Sequence, residues 1–146
     1  MAAEERFDLA DATRVQEFFQ RHAPDAVIHT AARTSAADCE RDPPSARRDN
    51  VETTERLASL CLPRHLPFVL ISTDMVFDGR QAPYQEDAPA APVGVHGPTK
   101  VQAETAALAS PRGLVARVAL LIGRSPRGNR SPDEALAAAG RVSARR

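Results

Sequence analysis

Lysine is almost missing from this chain. Of nineteen basic residues eighteen are arginine, and Lys100 is the one exception. A position that keeps a compact ammonium where arginine has displaced lysine everywhere else reads either as one that needs a point charge or as chance. Tyrosine is as scarce: Tyr84 is the only one. The two cysteines, Cys39 and Cys61, have no metal spacing and read as free thiols in a reducing cytoplasm. His22, His29, His65 and His96 show no ligand spacing either. No apolar run approaches the ~20 residues of a membrane span. The first residues, Met1 to Arg6, lack the apolar centre of a signal peptide. The formal net charge is zero, which argues against a general binder of nucleic acid or of anionic membranes. The expectation from these absences is a cytoplasmic protein whose partners are neither nucleic acids nor membranes.

What is present reads as one domain of 146 residues, long enough to bury a core. Phe68-Val-Leu-Ile-Ser-Thr-Asp-Met-Val-Phe-Asp-Gly79 is the organising stretch. Its apolar run predicts a strand buried on both faces, as in a parallel sheet. Its small polar residues then stand at the end where open α/β sheets bind ligands. Ala26 to Ala32 predicts a second such strand, and Leu114 to Ile122 a third, closed by Gly123. Helices are predicted from an Asp11 cap to His22, from Asn50 to Cys61, and from about Pro98 to Ala109. Residues after Ala32, through Cys39 to Pro44, read as loop, and so do Arg80 to Gly94. His29 reads as a packed core histidine, and Asp74 and Asp78 as turn formers. Strand and helix alternate, so the class is α/β with right-handed crossovers. The predicted division is a domain over 1–123 and a weakly ordered basic tail over 124–146, with a short helix candidate at Asp133 to Ala139.

Several strings fall in a familiar order: Asp8-Leu9, Asp25-Ala-Val-Ile-His-Thr-Ala-Ala32, Asn50, Ser72-Thr-Asp-Met-Val-Phe-Asp-Gly79, Pro83-Tyr84-x-Glu86-Asp87, Gly97-x-x-Lys100, Glu104 and Arg117. In this the chain resembles the extended short-chain dehydrogenase/reductase superfamily, and within it dTDP-4-dehydrorhamnose reductase and its RmlD-like sugar-nucleotide-binding relatives. The resemblance runs from about Phe7 to Gly123. It implies a partial Rossmann-like, doubly wound parallel sheet and a reductase of a 4-keto sugar nucleotide in dTDP-rhamnose biosynthesis, using NADP or NAD. It implies that Asp8 and Leu9 meet the adenine end of the cofactor. Ala31 and Ala32 would let the cofactor approach the backbone, Thr73 would bond the substrate carbonyl, and Lys100 would hold the nicotinamide ribose. The family's proton donor is a tyrosine four residues before the lysine, whose pKa the lysine lowers.

Two departures stand out. His96 replaces that tyrosine, and a nearby Lys100 would strip an imidazolium of its proton at neutral pH. The chemistry is therefore expected to be lost or weakened. The Gly-rich turn that receives the pyrophosphate is also missing, along with the first βα unit that carries it. That leaves the Ala26 to Ala32 strand with an open edge, which a homo- or hetero-oligomeric partner would cover. The chain reads as the middle of a longer protein. Alternatives that stay open are a non-catalytic binding or regulatory protein on the same fold, as in the regulatory subunit of methionine adenosyltransferase, or a fragment without function.

Overall fold

The computed structural model describes residues 5–119. The predicted end of the third strand at Ile122, Gly123, the tail and its helix candidate lie outside the described residues. Three strands, β1 (Val27–His29), β2 (Phe68–Thr73) and β3 (Gly113–Val118), form one parallel sheet in the order β1-β2-β3. Helix α1 (Ala12–His22) precedes β1. Asp11 caps it, its side chain accepting from Arg14 N–H at 3.1 Å. Ala23 closes it in the left-handed region, and Pro24 follows.

The crossover from β1 to β2 holds more helix than the sequence suggests. Helices α2 (Ala36–Arg41) and α3 (Pro43–Arg47) occupy the stretch expected to be loop. Both carry ordinary start signals. Ser35 accepts from Asp38 N–H, Asp42 accepts from Ser45 N–H, and Pro43 opens α3 where its missing N–H costs nothing. Each is too short for its apolar periodicity to register. From α3 the chain runs through one wide π turn, Arg48–Glu52, into α4 (Thr53–Cys61). The Thr53 N–H there reaches back five residues to the Arg48 carbonyl. Helix α5 (His96–Leu108) makes the second crossover.

Along β2 the burial alternates. Phe68, Leu70 and Ser72 are buried, whereas Val69, Ile71 and Thr73 are not. Leu70 and Phe68 join Val15 and Phe19 of α1, Leu57, Ala58 and Cys61 of α4, and Ala103 and Ala107 of α5 in one core. Among the described residues the second face of the sheet carries no helix. Ile28, Val69 and Leu114 stand in register across the three strands on that face, with Ile28 67% and Leu114 53% exposed. Burial of β2 on both faces is thus not what the described residues provide. Only one layer of helices is present among them, and a parallel sheet ordinarily has two. For the same reason β1 is an outer strand here, with its far edge unpaired among the described residues. No described helix is long and apolar enough to cross a membrane.

Candidate functional site

The site residues gather at the C-terminal ends of β1 and β2. After β1 the chain passes through Ala31, Ala32 and Arg33. These three, with Phe7, Asp8 and Leu9, line a cleft of about 460 Å³. The pair before α1 is held by its own turn: Asp8 Oδ1 accepts from Ala10 N–H at 2.8 Å, and Arg56 donates to the Leu9 carbonyl at 2.8 Å. Two arginines share one carboxylate at the rim. Arg33 Nε donates to Asp49 Oδ2 and Arg48 Nε to Asp49 Oδ1, each at 2.9 Å. Asp8, Leu9, Ala31 and Ala32, far apart in sequence, therefore face one space.

The second cluster surrounds the end of β2. The Thr73 hydroxyl accepts from Met75 N–H at 3.2 Å and donates to Asp74 Oδ1 at 3.1 Å, which caps a short 3₁₀ turn, Asp74–Val76. Lys100 lies one turn into α5, and its Nζ donates to the Ile71 carbonyl at 2.8 Å, two residues before Thr73. Lys100 is only 4% exposed. Burial pushes its ammonium pKa down, and the Glu104 carboxylate beside it pushes the other way. Glu104 in turn accepts from Ser72 and from Arg117. After the turn, Tyr84 stacks on Phe77 with ring centroids 4.1 Å apart and donates to Asp78 Oδ1 at 2.8 Å. Tyr84 is thus part of the loop scaffold, and Asp78 a turn former that also accepts from Arg80 N–H.

His96 joins the two clusters in an unexpected way. It is buried, and its Nδ1 lies 3.1 Å from the Arg33 carbonyl. A carbonyl only accepts, so Nδ1 carries the proton, and the neutral ring keeps its lone pair at Nε2. Burial lowers its pKa, the bond to Arg33 works against that, and the Lys100 charge lowers it further. Neutral His96 therefore presents an acceptor at Nε2 and has its one donor engaged. The Arg33 carbonyl also receives Asn50 Nδ2–H at 3.2 Å and lies 3.5 Å from Cys39 Sγ. Burial raises the Cys39 thiol's pKa, so the sulfur is a weak donor here and not a thiolate. Asn50 also accepts from Arg33 N–H at 2.7 Å, so one side chain grips both backbone groups of Arg33. His29 is buried beside Lys100, with Nε2 at 3.1 Å from Thr54 Oγ1. The Thr54 hydroxyl spends its proton on the Asn50 carbonyl, so His29 Nε2 is the donor.

The structure brings the expected Asp8, Leu9, Ala31 and Ala32 to one cleft and sets Thr73 and Lys100 at the end of β2. The Asn50 clamp, the Arg33–Asp49–Arg48 rim and the Glu104–Arg117 pair were not expected as functional groups. Asn50, Glu104 and Arg117 stood among the strings of the resemblance without a role, and the i, i+4 spacing of Lys100 and Glu104 was a further signal. Among the described residues no cluster of His, Cys, Asp or Glu could hold a metal ion.

The adenosine part of a dinucleotide suits the first cleft. Two methyl side chains leave the backbone approachable, Asp8 offers an acceptor, and the volume lies within the usual ~300–1,000 Å³ of ligand sites.

Several known proteins are similar to this chain in sequence or fold. The dTDP-4-dehydrorhamnose reductase of Sinorhizobium fredii is 32% identical over 120 residues, which is 81% of this chain and 40% of that protein. Methionine adenosyltransferase 2 subunit beta of Xenopus tropicalis is 35% identical over 120 residues, 82% of this chain and 36% of that one. The crystal structure of dTDP-4-dehydrorhamnose reductase from Bacillus anthracis, in complex with NADP, superposes with a TM-score of 0.83 at 24% identity. It covers 93% of this chain and 48% of that chain, a likeness of fold. The chain thus spans about two fifths of the length of the curated relatives it matches. The model of the RmlD substrate binding domain matches residues 1–132, and with the strand order and the paired clusters above it, the chain belongs to that family.

Proposed function

We propose that this chain binds a nicotinamide dinucleotide in the manner of the NAD(P)-dependent reductases of 4-keto sugar nucleotides, and that its reductase chemistry is weakened at His96. The observation that carries the reading is the convergence of Asp8, Leu9, Ala31 and Ala32 on one cleft, with Thr73 and Lys100 at the end of the next strand. In this reading the cleft takes the adenosine and Lys100 holds the nicotinamide ribose. A nicotinamide held there would supply the hydride that reduces a substrate carbonyl. The Thr73 hydroxyl turns from Asp74 to donate to the carbonyl oxygen. The oxygen then needs a proton, and a neutral His96, with Nδ1–H spent on Arg33, has none to give.

The same His96 geometry favours a second reading, in which the fold binds a dinucleotide or a protein partner without turnover. A homo- or hetero-oligomer over the outer edge of β1 belongs to that reading. The similar methionine adenosyltransferase 2 subunit beta is itself named as a subunit of another enzyme.

Titration of the full chain with NADPH and NADH, by calorimetry and nicotinamide fluorescence, tests the first reading. Micromolar binding is expected. Turnover of a dTDP-4-keto sugar is then compared between wild type and His96→Tyr, which is expected to be faster by roughly 10²-fold. Absence of binding by the folded chain ends the dinucleotide reading. Equal rates end the claim that His96 limits the chemistry.

A further inference from the structure

Helix α5 sets Lys100 and Glu104 one turn apart on the same face, and that face meets the last residues of β2. Both side chains are buried, each residue only 4% exposed. They seize consecutive residues of the strand. Lys100 Nζ donates to the Ile71 carbonyl at 2.8 Å, and Ser72 Oγ–H donates to Glu104 Oε1 at 2.6 Å. Arg117, the register partner of Ser72 on β3, holds the same carboxylate from Nε at 3.1 and 3.2 Å and from Nη2 at 2.7 Å. Its guanidinium also lies over Phe77, 5.1 Å from the ring centroid.

This is a dear way to join a helix to two strands. Apolar side chains of similar size would pack these elements without desolvating ions. A buried carboxylate paired with Arg117, one helical turn from the Lys100 ammonium, makes sense where that ammonium has to stay charged. The groups facing Lys100 are His29 on β1, His96 at the start of α5, Glu104, and Arg117 on β3 behind Glu104. Both histidines are kept toward the neutral form by burial and by the Lys100 charge itself. Glu104 is the carboxylate acting on the ammonium.

From this geometry we infer that Glu104 is the counter-ion that keeps the Lys100 ammonium charged and fixed at the end of β2, with Ser72 and Arg117 orienting it. Glu104 is a positioning residue. The inference deepens the reading above, in which Lys100 meets the cofactor ribose, and rests on it for the use to which the charge is put.

The composition makes the test direct. Lys100 is the only lysine, so the full chain grown with lysine labelled at ¹³Cε yields one ε-methylene resonance. That resonance is followed from about pH 5 to 11, across the ordinary lysine range, in wild type, Glu104→Gln and Glu104→Asp. Glutamine keeps an oxygen for Ser72 and Arg117 but no charge. The Lys100 midpoint is expected to fall by about one pH unit or more in Glu104→Gln, and to return most of the way in Glu104→Asp. A glutamine midpoint within about 0.3 pH unit of wild type overturns the inference, since a structural tie alone would leave the titration in place. Should Glu104→Gln not fold, the wild type decides. A buried Lys100 still charged at pH 7 supports the inference, and a neutral one overturns it. The titration needs neither cofactor nor turnover, so failure to bind dinucleotide strikes the reductase reading and leaves this result standing.

Discussion

Acid should unfold this chain through His29. The ring is buried beside Lys100, and burial, with the Lys100 charge adding to it, holds the imidazole at about 4 against 6.5 for a free histidine. The folded state thus binds the proton less well than the unfolded state does. Stability from this group is complete above about pH 6.5 and is lost as pH falls from there toward 4. At pH 5 the unfolded chain is almost fully protonated at this site while the folded chain is about one-tenth protonated, which amounts to ~2 kcal/mol. The loss levels off at about 3 kcal/mol below pH 4, a sizeable share of the ~5–15 kcal/mol that holds a typical domain. Urea unfolding at about pH 7.5 and pH 5, on wild type and His29→Gln, isolates the effect. Glutamine can still donate to Thr54 and does not titrate. Contributions from His96 and the carboxylates are common to both proteins and cancel. The wild type should lose ~2 kcal/mol more than the variant between the two pH values. Equal losses would show that His29 takes up its proton in the folded chain without penalty, and the reasoning would fail.

Two further outcomes follow from the packing. Asn50→Ala removes the grip on both backbone groups of Arg33 and the bond to Thr99 Oγ1, leaving buried polar atoms unpaired. It should cost about 2–4 kcal/mol in urea unfolding and weaken any ligand of the adjoining cleft. A loss below about 0.5 kcal/mol would mean water replaces the amide. Gly97→Ala places a methyl 2.5 Å from the Met75 carbonyl oxygen and 2.7 Å from Pro92 Cβ, so backbone must move. Its Tm should drop by several degrees, at a cost of ~1–3 kcal/mol, and an unchanged Tm would refute the close packing of α5 against the Asp74–Val76 turn.

The elements that position the site were readable because their signals are local or periodic. Asp11 announced α1 by its type and place, and Phe68 to Thr73 announced β2 by an apolar run ending in small polar residues. Ala31 and Ala32 were legible through resemblance and not through physics, since two alanines after a strand say little alone. The direction of His96 was not legible at all. Its acceptor, the Arg33 carbonyl, lies 63 residues away and enters reach only once both crossovers have folded. The same holds for Asn50, which faces Arg33 and Thr99 across 17 and 49 residues. Helices α2 and α3 were missed because five or six residues make less than two turns and repeat no apolar pattern, even though Ser35 and Asp42 are good caps. Burial of β2 on both faces was inferred from a run of apolar residues that cannot tell its own two faces apart. The described residues bury Phe68 and Leu70 and leave Val69 and Ile71 partly open.

The wide turn at Arg48–Glu52 carries a geometric consequence for the cleft. An α-helix advances about 100° per residue, so one surplus residue in a single turn swings everything before it by about that angle relative to everything after. Downstream, Thr54, Leu57, Ala58 and Cys61 keep their bearing on the core. Asn50, inside the turn, is freed from that bearing and looks toward Arg33. Removing one residue, such as the exposed Glu52, would give a more regular rod and turn this amide away from the loop it holds. The irregularity acts as a gear between two halves of one helix, letting a single segment serve the hydrophobic interior at one end and a polar loop at the other.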